Sequence, residues 1–235
     1  MLSTVMERLE CGGGSYELAT NEFDTVFSPM GVELLVEFRN EAAITFVYRI
    51  DQFELTKDIL LAETENAVTV RYTLHGGSGR LTVSPFAAIR DFHQLRQSSP
   101  ESRITFQTTE SGAIVLDADN PAHTLHLISA DGQFSASPDW WYNFRYRTEA
   151  LRGQDANEDL YCPGSFAYEL QDGQSCCLTA ALDGPVSFDF DATLRRRSER
   201  RVELAGSLGP HADQTTRDLA VFGDAFVVNR DFPNA

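Results

Sequence analysis

Val68-Thr-Val-Arg-Tyr-Thr-Leu74 sets Val68, Val70, Tyr72 and Leu74 at every second position, with Thr69, Arg71 and Thr73 between them. Successive side chains of a strand point to opposite faces, so this run predicts a strand with one face in a core and the other toward water. Val32, Leu34, Val36 and Phe38 alternate in the same way with Glu33, Glu37 and Arg39, and Ile44, Phe46, Tyr48 and Ile50 repeat the pattern. Turn residues separate the runs at Ser28-Pro-Met-Gly31, Arg39-Asn-Glu41 and Gly76-Gly-Ser-Gly79. Further strands are expected over residues 80–87, 103–108, 113–117, 124–129, 165–170, 175–182 and 186–191. So many strands exceed a small sandwich and predict an all-β chain of two large packed sheets. A short helical segment is expected near the end, where Leu219, Phe222 and Phe226 share one helical face behind a threonine N-cap. The arginine-rich Leu194-Arg-Arg-Arg-Ser-Glu-Arg-Arg201 reads as an exposed connector or a helix start.

The chain of 235 residues is 42% hydrophobic, enough for one large β domain or two small ones. Its formal net charge of -16 repels phosphate backbones and anionic lipid surfaces, so neither nucleic acid nor a membrane is an expected partner. A neutral ligand such as a glycan is compatible with it. The opening residues reach Glu7 and Arg8 before a signal-peptide core can form, and a cytoplasmic location is expected. Cys11, Cys162, Cys176 and Cys177 lack C-x-x-C spacing and are read as reduced thiols. His123 and His126, three apart on a strand, face opposite sides and have no third ligand in view; no metal and no cofactor is expected.

Aromatics, arginines and carboxylates crowd between Asp139 and Gly164, which holds both tryptophans, Trp140 and Trp141, followed by Tyr142. Planar apolar faces beside Glu149, Arg152, Glu158 and Asp159 suit a sugar, which offers C–H surface to rings and hydroxyls to charged groups. The same residues could instead plug the end of a sandwich, with their charges solvated and Arg152 holding Glu149 or Asp159 as a fork. Trp140, Trp141 and Tyr142 are consecutive, so in an extended strand they cannot all face one ligand, whereas in an irregular loop two could.

Three segments in order resemble the N-terminal domain of bacterial and archaeal glycogen debranching enzymes of the amylo-α-1,6-glucosidase family. They are Tyr16-Glu-Leu-Ala-Thr-Asn-Glu-Phe23 with Pro29-Met-Gly31, then Ser84-Pro-Phe-Ala-Ala-Ile-Arg-Asp-Phe-His93, then a series from Trp141, Tyr142, Asn143 and Phe144 through Tyr146, Glu149, Arg152 and Gly153 to Glu158, Asp159, Leu160, Pro163 and Gly164. The resemblance implies a β-supersandwich over residues 1–210 and a helical linker over 211–235 leading toward an α/α-barrel catalytic domain. That barrel, absent from this chain, would carry the glucosidase carboxylates, so no catalytic residue is expected here. The partners implied are the barrel and an α-glucan such as a glycogen limit dextrin or a maltooligosaccharide. Arg90, Asp91, His93, Trp140, Trp141, Tyr142, Glu149, Arg152, Glu158 and Asp159 become candidates for substrate or interdomain contact. Self-association through the surface a barrel would cover is a further expectation. The rival readings are a stand-alone glycan-binding module and a mutarotase-like sugar-active enzyme, for which His93 with Glu149 is the only nominated pair.

Overall fold

A computed structural model describes residues 2–91, 94–209, 211–224 and 226–227. The fifteen strands, in chain order, are β1 (Leu2–Cys11), β2 (Gly14–Glu17), β3 (Thr20–Phe23), β4 (Val26–Met30), β5 (Leu35–Asn40), β6 (Ile44–Ile50), β7 (Phe53–Leu61), β8 (Ala67–His75), β9 (Gly79–Ala87), β10 (Ile104–Thr109), β11 (Gly112–Asp117), β12 (Thr124–Ile128), β13 (Gln133–Arg145), β14 (Asn157–Leu170) and β15 (Ser175–Leu182). They form a seven-stranded sheet in the order β2-β1-β9-β14-β13-β3-β4 and an eight-stranded sheet in the order β10-β11-β12-β15-β8-β7-β6-β5, with antiparallel pairing throughout. The expected all-β, two-sheet sandwich with a helical C-terminal segment is the observed fold. Three helices accompany the strands: α1 (Arg147–Leu151), α2 (Phe190–Ser207) and α3 (Gln214–Asp224).

The opening stretch explains why two sheets form. Val70, Tyr72 and Leu74 on β8 are buried and meet Leu9, Leu81, Val83 and Phe166 of the other sheet in one apolar core. Burying each such side chain contributes about 1.5–3 kcal/mol, which favours stacking the sheets over leaving them open. The opposite face of β8 is polar, yet it is organised. Thr69 shares a 2.7 Å hydrogen bond with Thr179, Thr73 one of 2.8 Å with Ser175, and Arg71 reaches Asp58 at 3.1 Å. Such cross-strand pairs reinforce register, because a one-residue slip would bring apolar and polar faces into conflict.

The run beginning at Val32 departs from its alternation. Residues Gly31–Leu34 form a 3-10 turn, β5 starts only at Leu35, and Val36 and Phe38 are 51% and 55% exposed. β5 is the last strand of its sheet, so its side chains lack flanking cover on one side, while Leu34 and Leu35 still reach the core. Gly31 enforces the tight passage from β4 to β5, since a Cβ there would lie 1.9 Å from the Leu18 carbonyl oxygen.

A second departure lies at residues 186–191, where no strand forms and Phe190 instead opens α2, capped by Asp189 accepting from the Ala192 N–H at 2.9 Å. The arginine-rich run is therefore helix interior. On α3 the cap is Asp213, which accepts from the Thr216 N–H at 2.8 Å, and not a threonine; Phe226 falls beyond the helix end. The chain divides into two compact units, Met1–Phe188 and Asp189–Ala235. Within the second, Arg217 ties the α2–α3 turn by donating to the carbonyls of Ala205, Gly209 and Ala212, and Arg200 pairs with Asp224 at 2.9 Å. No helix among the described residues is long and apolar enough to cross a membrane.

The core and the sheet edge should respond very differently to truncation. Leu55→Ala, at a fully buried position, is expected to lower unfolding free energy by about 2–5 kcal/mol, and Phe38→Ala at the exposed edge by less than about 1 kcal/mol, in urea denaturation. Equal losses would mean that β5 packs into the core.

Candidate functional site

Of the two conformations left open for Trp140 to Tyr142, the structure has the strand. β13 runs through Trp140 and Trp141 to Arg145 and pairs with β14, with irregularities between Ala136 and Asp139 and again between Trp141 and Phe144. Asn143 takes up the second irregularity in the left-handed region, at φ 62°. Only the stretch around α1 lies outside the ladder. Because Trp140 and Trp141 are neighbours on a strand, they separate: Trp140 packs with the core between the sheets, 5.5 Å from the Tyr161 ring, and Trp141 lies on the outer face, edge-on to Phe86 at 5.3 Å.

That outer face carries an apolar cluster of its own. Phe86, Ala88, Phe144, Leu160 and Cys162 are buried there, flanked by Met6 and Phe23. Next to it a groove of about 520 Å³ crosses the sheet, floored by Phe86, Met6 and Trp141 and edged by Ser84, Ser165 and Asp139. Trp141 is 37% exposed, and Tyr142 is more open still. Gly164 keeps the strands close at the bulge: its φ is +150°, and a Cβ would meet the Ser135 carbonyl oxygen at 2.2 Å. Arg8 and Glu17 close one side as an ion pair at 2.6 Å. A floor of ring edges and C–H surface with hydroxyls and a carboxylate at the rim suits a polyhydroxylated ligand.

The acidic candidates are occupied otherwise. Glu158 is fully buried, and four donors converge on its carboxylate. Arg90 forks onto it through Nε and Nη2, the Tyr146 hydroxyl donates at 2.7 Å, and the Arg96 N–H donates at 3.2 Å. Asp159 is a backbone clamp, accepting from the Ser98 N–H on one oxygen and the Asn143 N–H on the other, each at 2.8 Å. Its own N–H donates to the Arg96 carbonyl at 2.8 Å. The guanidinium of Arg96 in turn grips buried Asp117 and donates to the Ile89 carbonyl. Together these contacts fasten the long connection between β9 and β10 onto β14. Glu149 and Arg152 form an i,i+3 pair at 3.2 Å on the surface, the Glu149 alternative of the two pairings expected for Arg152. Asp91 is exposed and its carbonyl accepts from Arg90 at 3.1 Å; His93 lies outside the described residues.

Sequence reading did not single out Arg96, Asp117 or the groove floor at Phe86 and Met6. Their partners are distant along the chain, 21 positions for Arg96 with Asp117 and 62 for Arg96 with Glu158, and no local pattern announces such pairings. A broader concavity of about 740 Å³ lies over the β9–β10 connection, walled by Arg90, Arg96 and Arg103. Each guanidinium there already faces a carboxylate, Glu158, Asp117 or Asp119, so the concavity offers no unmatched positive charge to an anion. Among the described residues no group of three or more His, Cys, Asp or Glu could hold a metal ion. His123 pairs with Asp183 at 2.9 Å and His126 approaches Thr124 at 3.2 Å. Cys11, Cys162 and Cys176 are buried thiols outside any disulfide, and Cys177 is half-buried; burial pushes the Cys162 thiol up to about 11.

The family model described as glycogen debranching enzyme N terminal matches residues 1–177. No curated protein matches significantly. Among solved structures, a bacterial glucoamylase complexed with acarbose aligns at 8% identity and TM-score 0.41, over 95% of this chain and 31% of its own. A polysaccharide lyase aligns at 14% identity and TM-score 0.39, over 82% and 27%, and a putative kojibiose phosphorylase from human microbiome at 11% and 0.35, over 92% and 26%. This chain thus spans about a third or less of the length of each.

Burial pushes the Tyr146 phenol up to about 12, and its hydrogen bond to Glu158 pushes the same way while Ser3 opposes it. A tyrosine raised in the folded state gives stability that is whole below the unfolded value near 10 and is lost as pH climbs toward 12. Tyr146→Phe should therefore flatten the fall of unfolding free energy between about pH 10 and 12, and remove one late-titrating phenolate from the absorbance curve. Unchanged curves would show that the Tyr146 phenol is not raised by burial in the folded chain.

Proposed function

We propose that this chain, which belongs to the glycogen debranching enzyme N-terminal family, serves as a non-catalytic domain of a glycogen-debranching α-1,6-glucosidase. It packs on an α/α-barrel catalytic domain and helps shape the groove for an α-glucan, while the barrel hydrolyses the α-1,6-linked glucose left at a branch stub. The family membership rests on three quarters of the chain, and the reading takes its substrate class from that family. The observation that carries it is Trp141, turned to the outer face of the seven-stranded sheet above a groove edged by hydroxyls.

The placement of the carboxylates supports a non-catalytic role. A glycosidase needs two carboxyl groups facing one sugar, about 5 Å apart for retention or roughly 6.5–9.5 Å for inversion. Glu158 accepts from four donors and Asp159 clamps two backbone amides, so both carboxylates are engaged in holding the fold. Glu149 is tied to Arg152 on the surface of α1. Arg90 and Asp91 then belong to a connection fastened onto β14, which offers a neighbouring domain a fixed surface. Self-association of the isolated chain follows from the apolar side chains left open, among them Phe27, Val36, Phe38 and Tyr142.

Titration with maltoheptaose, followed by tryptophan fluorescence, tests the reading. Part of a groove should bind weakly, with Kd on the order of millimolar, and Trp141→Ala should weaken it at least about tenfold while Trp140→Phe changes it little. The isolated chain should release no glucose from a limit dextrin. Micromolar binding lost in Trp141→Ala would favour a stand-alone glycan-binding module, and turnover abolished by Glu149→Gln would favour a sugar-active enzyme. Absence of any response would leave the groove as packing surface alone.

A further inference from the structure

The two sheets end in four terminal strands, β2 and β4 on one, β10 and β5 on the other. A terminal strand leaves a row of backbone N–H and C=O groups without a ladder partner, and native sheets commonly blunt it by short length, proline or lysine. β2 has only four residues and β4 holds Pro29. β10 exposes Thr105, Gln107, Thr108 and Thr109, with no charge to fix a register. β5 is six residues long, has neither proline nor lysine, and is exposed at every position after Leu35. It carries one charge of each sign, Glu37 and Arg39, two positions apart on one face and 3.6 Å from each other. Phe38, between them, turns to the other face, edge-on to Phe46 at 5.1 Å. The pairing with β6 is irregular between Leu35 and Glu37, and regular over residues 37–40.

That sequence is complementary to itself. When an antiparallel strand meets its own copy about a two-fold axis, residues equally far before and after the axis stand opposite each other. With the axis at Phe38, Glu37 faces the other copy's Arg39, Arg39 faces its Glu37, and the two Phe38 rings meet. Moving the axis by one residue, to Glu37 or to Arg39, sets like charges opposite each other, which is destabilising. Opposed Cβ atoms lie about 4.5–5.5 Å apart, inside the screening length of roughly 8 Å at physiological salt. The matched pairs therefore act at full reach, while the net charge of -16 on each copy is largely screened over longer distances. We infer that β5 is the contact edge of a homodimer, in which two copies join their eight-stranded sheets into one continuous sheet in the register centred on Phe38. So short a seam buries little area, which makes the dimer weak and transient. The inference gives the self-association proposed above one surface and one register. It rests on this edge alone, and stands whether or not the outer-face groove binds glucan.

The test is sedimentation velocity of the whole chain from about 5 to 500 µM at roughly 0.15 M salt, with Kd expected on the order of 100 µM. The mass should climb from 26.2 kDa toward twice that value. Glu37→Arg and Arg39→Glu should each weaken the dimer at least about tenfold, since each sets like charges opposite each other twice. Mixed in equal amounts, the two single variants should pair with one another, and the double swap Glu37→Arg with Arg39→Glu should restore the parent Kd to within about threefold. A parent chain that stays monomeric to the highest concentration would overturn the inference. So would single variants that remain monomeric when mixed. A dimer that survives both single reversals would place self-association on the other open apolar side chains, and would overturn the edge while leaving self-association itself intact.

Discussion

Four donors from three residues meet at the Glu158 carboxylate, and the β9–β10 connection and the end of β13 are fastened around that point. A carboxylate with no exposure is tolerable only when its charge is matched and its lone pairs are filled, and Arg90, Tyr146 and the Arg96 amide do both. Breaking such a pair from one side costs about 3–5 kcal/mol, because the other charge stays buried. Asp159, the next residue, grips Ser98 and Asn143, so two adjacent positions of β14 hold the β9–β10 connection on one side and the irregular end of β13 on the other. The left-handed Asn143 is the counterpart of that clamp. Trp141 is the last paired residue before that irregularity, facing outward opposite Leu160 of β14.

The seven-stranded sheet has apolar material on both faces. Its inner face supplies Leu9, Leu81 and Phe166 to the common core, and its outer face buries Phe86, Phe144 and Leu160. The eight-stranded sheet turns hydroxyl pairs outward at β8 and β15 and buries Leu60 and Val47 on that same side. A sheet that is apolar outside as well as inside is built to be covered there, by its own hairpins, by a ligand or by another domain. The groove at Trp141 runs beside the buried outer cluster, which is why ligand contact and interdomain packing are closely allied roles for this face.

Much of the architecture was legible in the sequence because period-two alternation and turn residues are local signals. Strands β6, β8, β9, β11, β12 and β15 lie where alternation places them, within a residue or so at the ends. Alternation misled at Val32–Phe38, since pattern alone does not tell an interior strand from a sheet edge, and at 186–191, where Asp189 caps a helix. β1 carries no such signal because Glu7 interrupts its inward face, yet it pairs along nearly its whole length with β9. At the candidate site the sequence identified Arg90, Glu158 and Asp159 as important chemistry, but not that Arg90 is spent on Glu158 and Asp159 on the Ser98 and Asn143 amides. The contacts to Arg90 and Ser98 depend on pairings across 68 and 61 residues. The opposite facing of Trp140 and Trp141 follows from strand geometry once β13 is known to be strand.

The central claim is that Glu158 is a structural anchor and not a group poised for chemistry, and amide hydrogen exchange in the β9–β10 connection measures it most directly. In Glu158→Gln the Arg96 and Ser98 amides should exchange at least about a hundredfold faster than in the parent chain, in line with the loss of a buried, doubly bonded ion pair, while amides of β8 and β15 slow or hold. Unchanged protection at Arg96 and Ser98 would show that the connection is held without Glu158, and would return that carboxylate to the list of groups available to a substrate.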